Sequence, residues 1–148
     1  MRVCDRTAAL GAVNTAAEVQ VRIDHLKTAL RDTPGAPPQL GDDFRALEAR
    51  LKDLQVALSG DDTVARRNEP TPASLVDRVQ QVVGGRWGTS SDATATGRRN
   101  HEIAAAAFGD VIEKLRVLVS VDLTQLEEAA ESAGAPWTPG RLPTWRPE

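Results

Sequence analysis

The sequence predicts an all-α protein: an antiparallel three- to four-helix bundle with long first and last helices and a Pro/Trp-rich extended C-terminal tail. Three observations carry this expectation. Apolar residues recur at steps of three and four along most of the chain, the spacing of one helix face. Nowhere do apolar and polar residues alternate with the period of two that a half-buried strand needs. The break at residues 33–38 is short and holds three prolines, which favours an antiparallel neighbour.

The first helix is expected over residues 5–32, with Val13, Ala16, Val19, Ile23, Leu26 and Leu30 on one stripe. Thr15 and Glu18 have the spacing of a capping box, and Gly11 weakens the turn before them, so the first ten residues read as frayed or as a separate turn. Thr33-Pro34-Gly35-Ala36-Pro37-Pro38 stops this helix. A second helix is expected from Asp42 or Asp43 to just before Gly60. Its seam is Phe44, Leu47, Leu51, Leu54 and Leu58, the cleanest heptad in the chain, with Glu48 and Lys52 as an exposed i,i+4 pair.

Thr71, with Pro72 behind it, predicts the start of a third helix whose face is Leu75, Val76, Val79, Val82 and Val83, and Gly84-Gly85 ends it. After a loop around Trp87, a fourth helix is expected from about residue 94 to 133. Its stripe is Ile103, Ala104, Ala107, Phe108, Val111, Ile112, Leu115, Leu118, Val119, Leu126 and Ala130. Unbroken, it would be roughly 60 Å long. Gly109 and Asp122 are where it is expected to bend, and Gly134 closes it. Residues 1–134 therefore read as the helical bundle. Residues 135–148, with four of the nine prolines and two of the three tryptophans, read as an extended tail packing on the bundle or on a partner.

Composition excludes several classes. Leu, Val, Ile and Phe make up 33 of 148 residues, a little above the level at which disorder is the default. A net charge of −3 and a pI of 5.4 argue against nucleic acid as a partner. Cys4 is the single cysteine, so neither an internal disulfide nor a cysteine-based metal cluster is available. No signal peptide is expected in this chain, because Met1-Arg2-Val3-Cys4-Asp5-Arg6 lacks an apolar core. No stretch approaches the ~18 apolar residues of a membrane span.

The motifs that carry chemistry are incomplete. His101-Glu102-Ile103-Ala104-Ala105 opens like a zinc-protease helix, but the second histidine would fall on Ala105. Gly84-Gly85-Arg86-Trp87-Gly88 is too irregular for a phosphate cradle and follows no strand. There is no Gly-x-Ser-x-Gly elbow. The expectation is no catalytic residue, no cofactor and no metal.

What remains is suited to contact with another surface. Trp87, Trp137 and Trp145 fall outside the predicted helices, and tryptophan suits a place packed on one side and wet on the other. They either lock the tail onto the bundle or anchor it on a partner. The tripeptide Arg-Arg-Asn occurs twice, at 66–68 and 98–100, each read as preceding a helix. Arg66, Arg67, Arg98 and Arg99 are exposed charge or forks for a partner's carboxylates.

Three runs share a further likeness. They are Thr63-Val64-Ala65-Arg66-Arg67-Asn68-Glu69-Pro70-Thr71-Pro72, Arg98-Arg99-Asn100-His101-Glu102-Ile103-Ala104, and Ala133-Gly134-Ala135-Pro136-Trp137-Thr138-Pro139-Gly140-Arg141-Leu142-Pro143. Arg78, Val82-Val83-Gly84-Gly85 and Trp87 lie between them. This pattern resembles the helical C-terminal region of bacterial sortilin-like β-propeller proteins with bacterial-neuraminidase-type repeats, often labelled glycosyl hydrolases. The resemblance implies a non-catalytic appendage whose partner is a β-propeller domain or a second copy of itself. It would be extracytoplasmic if its propeller is exported. A fragment contributing to a sugar site and a free-standing coiled-coil oligomerisation domain are the alternatives.

Overall fold

The computed structural model describes residues 3–61, 64, 66–67, 73–78 and 95–135. Among these the regular structure is helical throughout, with no strand. The elements are α1 (Val3–Arg31), α2 (Pro38–Ser59), α3 (Ala95–Val117), a π-helical turn (Leu118–Leu123) and α4 (Thr124–Ser132). A further helical stretch is described at 75–78. The predicted end of that helix at Gly84-Gly85, the loop at Trp87 and the tail beyond Ala135 lie outside the described residues.

Helix α1 is unbroken from Val3, so the expected fraying before Thr15 and the cap at Thr15 are corrected. The reason is the face it buries: Ala9, Ala12, Ala16, Val19, Ile23, Leu26 and Leu30, at strict steps of three and four. Alanine is the best helix former and carries the stripe two turns further than the large residues alone suggest. Val13, expected on the stripe, is only half-buried beside Ala12. Gly11 lies on the exposed side with nothing near where a Cβ would stand, so it interrupts no packing.

The connection closes locally. The Thr33 N–H donates to the Leu30 carbonyl at 3.1 Å, and its hydroxyl donates to the Ala29 carbonyl at 2.7 Å. Helix α2 then starts at Pro38, four residues before the predicted Asp42. Proline is tolerated in a first turn, where its missing N–H has no intrahelical partner to lose. The earlier start adds Leu40 to the seam, which reads Leu40, Phe44, Leu47, Leu51, Leu54 and Leu58, all buried. Gly60 ends the helix with φ +87°, and its N–H closes onto the Val56 carbonyl at 2.8 Å.

The chain divides into two compact units. Unit one holds residues 1–16 and 52–115, unit two 17–51 and 116–148. In unit one the buried residues include Ala9, Ala12, Ala16, Leu54, Leu58, Leu75, Ala104, Val111 and Leu115. The Gln55 side-chain amide donates to the Ala16 carbonyl at 3.2 Å, tying α2 to α1 there. The helix at 75–78 is capped by Ser74; the predicted cap Thr71 lies outside the described residues. The Ser74 hydroxyl accepts from the Asp77 N–H at 3.1 Å, and the Asp77 carboxylate accepts from the Ser74 N–H at 3.2 Å. This reciprocal box satisfies two backbone donors at once.

In unit two the core is Val19, Ile23, Leu26, Leu30, Leu40, Phe44, Leu47, Leu51, Leu118, Leu123, Ala130 and Ala135. Helix α4 stops at Gly134 as predicted, with φ +84°. The Gly134 N–H donates to Glu131 and the Ala135 N–H to Ala130, both at 3.0 Å. This is the Schellman arrangement, with Ala135 and Ala130 buried together.

Candidate functional site

The built polar contacts among the described residues are concentrated on the helices of unit two. Three ion pairs join its elements pairwise. Lys27 of α1 reaches Glu48 of α2 at 2.6 Å. Arg50 of α2 reaches Asp122 of the π turn at 2.7 Å. Arg22 of α1 grips Glu127 of α4.

The Arg22–Glu127 pair is the most enclosed. The Glu127 side chain is 6% exposed, whereas that of Arg22 is 36% exposed. The Arg22 Nε faces one carboxylate oxygen and its Nη2 donates to the other, so the planar fork meets both. A buried carboxylate without such a partner would be strongly disfavoured. The guanidinium, with its outer edge in water, is therefore what allows Glu127 to share a core with Leu123 and Ala130.

Glu48 is held from two sides. Lys27 donates to one oxygen, and the Gln20 side-chain amide donates to the other at 2.9 Å. The Lys27 hydrogen bond is the main reason the Glu48 carboxyl sits below its ordinary pKa. Partial burial opposes that shift, while the Gln20 hydrogen bond and the Lys27 charge reinforce it. The predicted partner was Lys52, four residues along the same helix. Glu48 instead faces α1, because its position flanks the Leu47/Leu51 seam.

These contacts close helices onto one another. No group of three or more His, Cys, Asp or Glu that could hold a metal ion occurs among the described residues. No described helix is long and apolar enough to cross a membrane.

The residues singled out from sequence lie elsewhere. Trp87, Trp137 and Trp145 are outside the described residues. Arg66 and Arg67 are exposed on a turn, closed by the Arg67 N–H donating to the Val64 carbonyl at 3.0 Å. Arg98 and Arg99 lie within the first turns of α3, not ahead of it, and Arg99 is exposed. Sequence reasoning missed Arg22, Arg50, Asp122 and Glu127 as partners. Arg22 and Glu127 are 105 positions apart, and nothing local to either points to the other.

No protein-family model, curated protein or solved structure matches the chain, and nothing found there links it to propeller proteins.

Proposed function

We propose that this chain is a non-catalytic helical interaction module in which α1, α2 and the rod formed by α3, the π turn and α4 pack as an antiparallel bundle. The observation that carries the reading is the set of three ion pairs, each joining a different pair of elements in unit two. Glu127, the buried carboxylate among the described residues, is engaged in holding two helices together. Heptad seams of Val, Ile, Leu and Phe supply the apolar packing between those ties.

In this reading the Pro/Trp tail is the partner-facing segment. Trp137, Trp145 and Trp87 are its anchors, and Arg66, Arg67, Arg98 and Arg99 form a polar rim. The partner is a β-propeller domain or a second copy of the chain. Sedimentation equilibrium with circular dichroism at matched concentrations tests this. A helical species whose association is lost in a Trp137→Ala, Trp145→Ala double variant is the expected result. Association and stability unchanged in that variant remove the anchoring role. Turnover of chromogenic glycosides by the chain alone would contradict the non-catalytic reading.

A further inference from the structure

The buried positions of the long C-terminal rod break rhythm once. In α1 they fall at 9, 12, 16, 19, 23, 26 and 30, and in α2 at 40, 44, 47, 51, 54 and 58, always three or four apart. In the rod, Val111, Leu115 and Leu118 keep that rhythm, with a step of four and then three. The next buried residue should be four further on, at Asp122. It is Leu123, five further on, followed by Glu127 and Ala130 at steps of four and three. The step of five coincides with the π turn Leu118–Leu123, whose hydrogen-bonded ring holds one residue more than an α turn.

We infer that this π turn is a register-setting device: it absorbs one surplus residue and thereby brings Asp122 and Glu127 to Arg50 and Arg22. Without it the α-helix would carry Asp122 and Gln125 towards the core, at the heptad positions after Leu118. Leu123, now fully buried, would turn away from the interior. An apolar core rejects that arrangement, since it buries a carboxylate and an amide and exposes a leucine. The backbone around the turn carries local support. The Ser120 hydroxyl donates to the Arg116 carbonyl at 2.7 Å, and the Thr124 hydroxyl donates to the Val119 carbonyl, five residues back, at 3.4 Å. The residues flanking the turn, Val117 and Thr124, keep ordinary right-handed helical angles, so the extra residue is accommodated without a kink in φ or ψ at either end.

The test is a pair of single-residue deletions in the full chain. Deleting Val121 takes one residue out of the wide turn and leaves Leu123, Glu127 and Ala130 in phase with Leu118. Deleting Lys114 takes one residue out of the regular α3 and leaves Val111, Leu115 and Leu118 at two successive steps of three, which α1 and α2 never show, so Val111 is turned away from the buried face. The ΔVal121 chain is expected to keep its helicity and a cooperative melt within about 4 °C of the parent, whereas ΔLys114 is expected to fall by more than about 10 °C or lose cooperativity. A double-mutant cycle between Arg22→Met and Glu127→Leu, run within ΔVal121, reads the register directly. Coupling retained at the parent's level supports the inference. A ΔVal121 chain as damaged as ΔLys114, or one that folds with the Arg22–Glu127 coupling gone, overturns it.

Discussion

Along α1 one seven-residue rhythm is filled in two ways. Its first half buries Ala9, Ala12 and Ala16, which belong to unit one. Its second half buries Val19, Ile23, Leu26 and Leu30, which belong to unit two. The helix is continuous and the spacing identical, so the periodicity that places a face towards the interior is separate from the size of what that face buries. A methyl group removes little apolar area from water, whereas a fully buried Leu or Ile contributes roughly 1.5–3 kcal/mol. The same contrast holds more widely. Among the described residues, the largest fully buried side chains are Phe44, Ile23, Leu26, Leu51, Leu58, Leu118 and Leu123, and of these only Leu58 belongs to unit one. Unit two also carries the three inter-helix ion pairs described above. Stability is therefore expected to be concentrated there.

The largest loss should come from Phe44→Ala. Phe44 is fully buried in unit two, and its truncation is expected to cost about 3–5 kcal/mol in denaturant unfolding. A cost near 1 kcal/mol would mean that the unit-two core collapses around the gap and is no tighter than unit one. Next comes Glu127→Ala, expected to cost about 2 kcal/mol, because Arg22 is left without its buried partner but can turn into water. Replacing both residues together, Arg22→Met with Glu127→Leu, should recover most of that loss, since apolar side chains of similar size suit a core position without needing pairing.

These expectations rest on features of unequal visibility in the sequence. The α2 seam from Phe44 to Leu58 was legible, because large aliphatics at heptad spacing admit one face and no other. Leu40 was not, because Pro37-Pro38 reads equally as the end of one helix and the start of the next. The buried alanines of α1 were hidden for a physical reason: alanine is at home on either face of a helix, so Ala9 and Ala12 carry no signal against their exposed neighbour Ala8. The fourth-helix stripe is legible at Ala104, Val111, Leu115 and Leu118 and again at Ala130, but Ile103 is exposed and Ala107, Phe108, Ile112 and Val119 are half-buried. Beyond Leu118 the π turn, which has no sequence signature, shifts the phase by one residue. Leu126, taken from sequence as a core residue, is half-buried, and Leu123 holds the place instead. Asp122, marked as a point where the helix would bend, lies within the π turn. The paired arginines and carboxylates meet across elements, and only the tertiary packing shows which meets which.

In unit one the most exposed weakness is a cap. Ser74→Ala removes the hydroxyl that accepts from the Asp77 N–H and should cost about 1 kcal/mol, seen as a lower denaturation midpoint at unchanged slope. No effect would mean that this cap is redundant with contacts elsewhere in unit one.

The smallest effect is pH-dependent. Glu48 is depressed in the folded chain relative to its ordinary value of 4.5, chiefly by its hydrogen bond from Lys27. A depressed carboxylate contributes stability that is fully present above the unfolded value and is lost as the pH falls through the folded one. Glu48→Gln should therefore cost less than about 1 kcal/mol at neutral pH, the pair being partly solvated. The difference between variant and parent should shrink below pH 4.5 and vanish once the parent's Glu48 is protonated. A difference that grows on acidification would contradict the assigned direction.

Native-state amide hydrogen exchange along α1 tests the central contrast most directly, because one continuous helix supplies both arms under identical conditions. The account predicts that amides at 19–30 exchange only through the global opening, and that those at 9–16 exchange more than about tenfold faster, through a smaller opening of unit one. Uniform protection along the helix, or stronger protection of the alanine half, would contradict it and would show that the size of the buried side chains does not set where this fold is held.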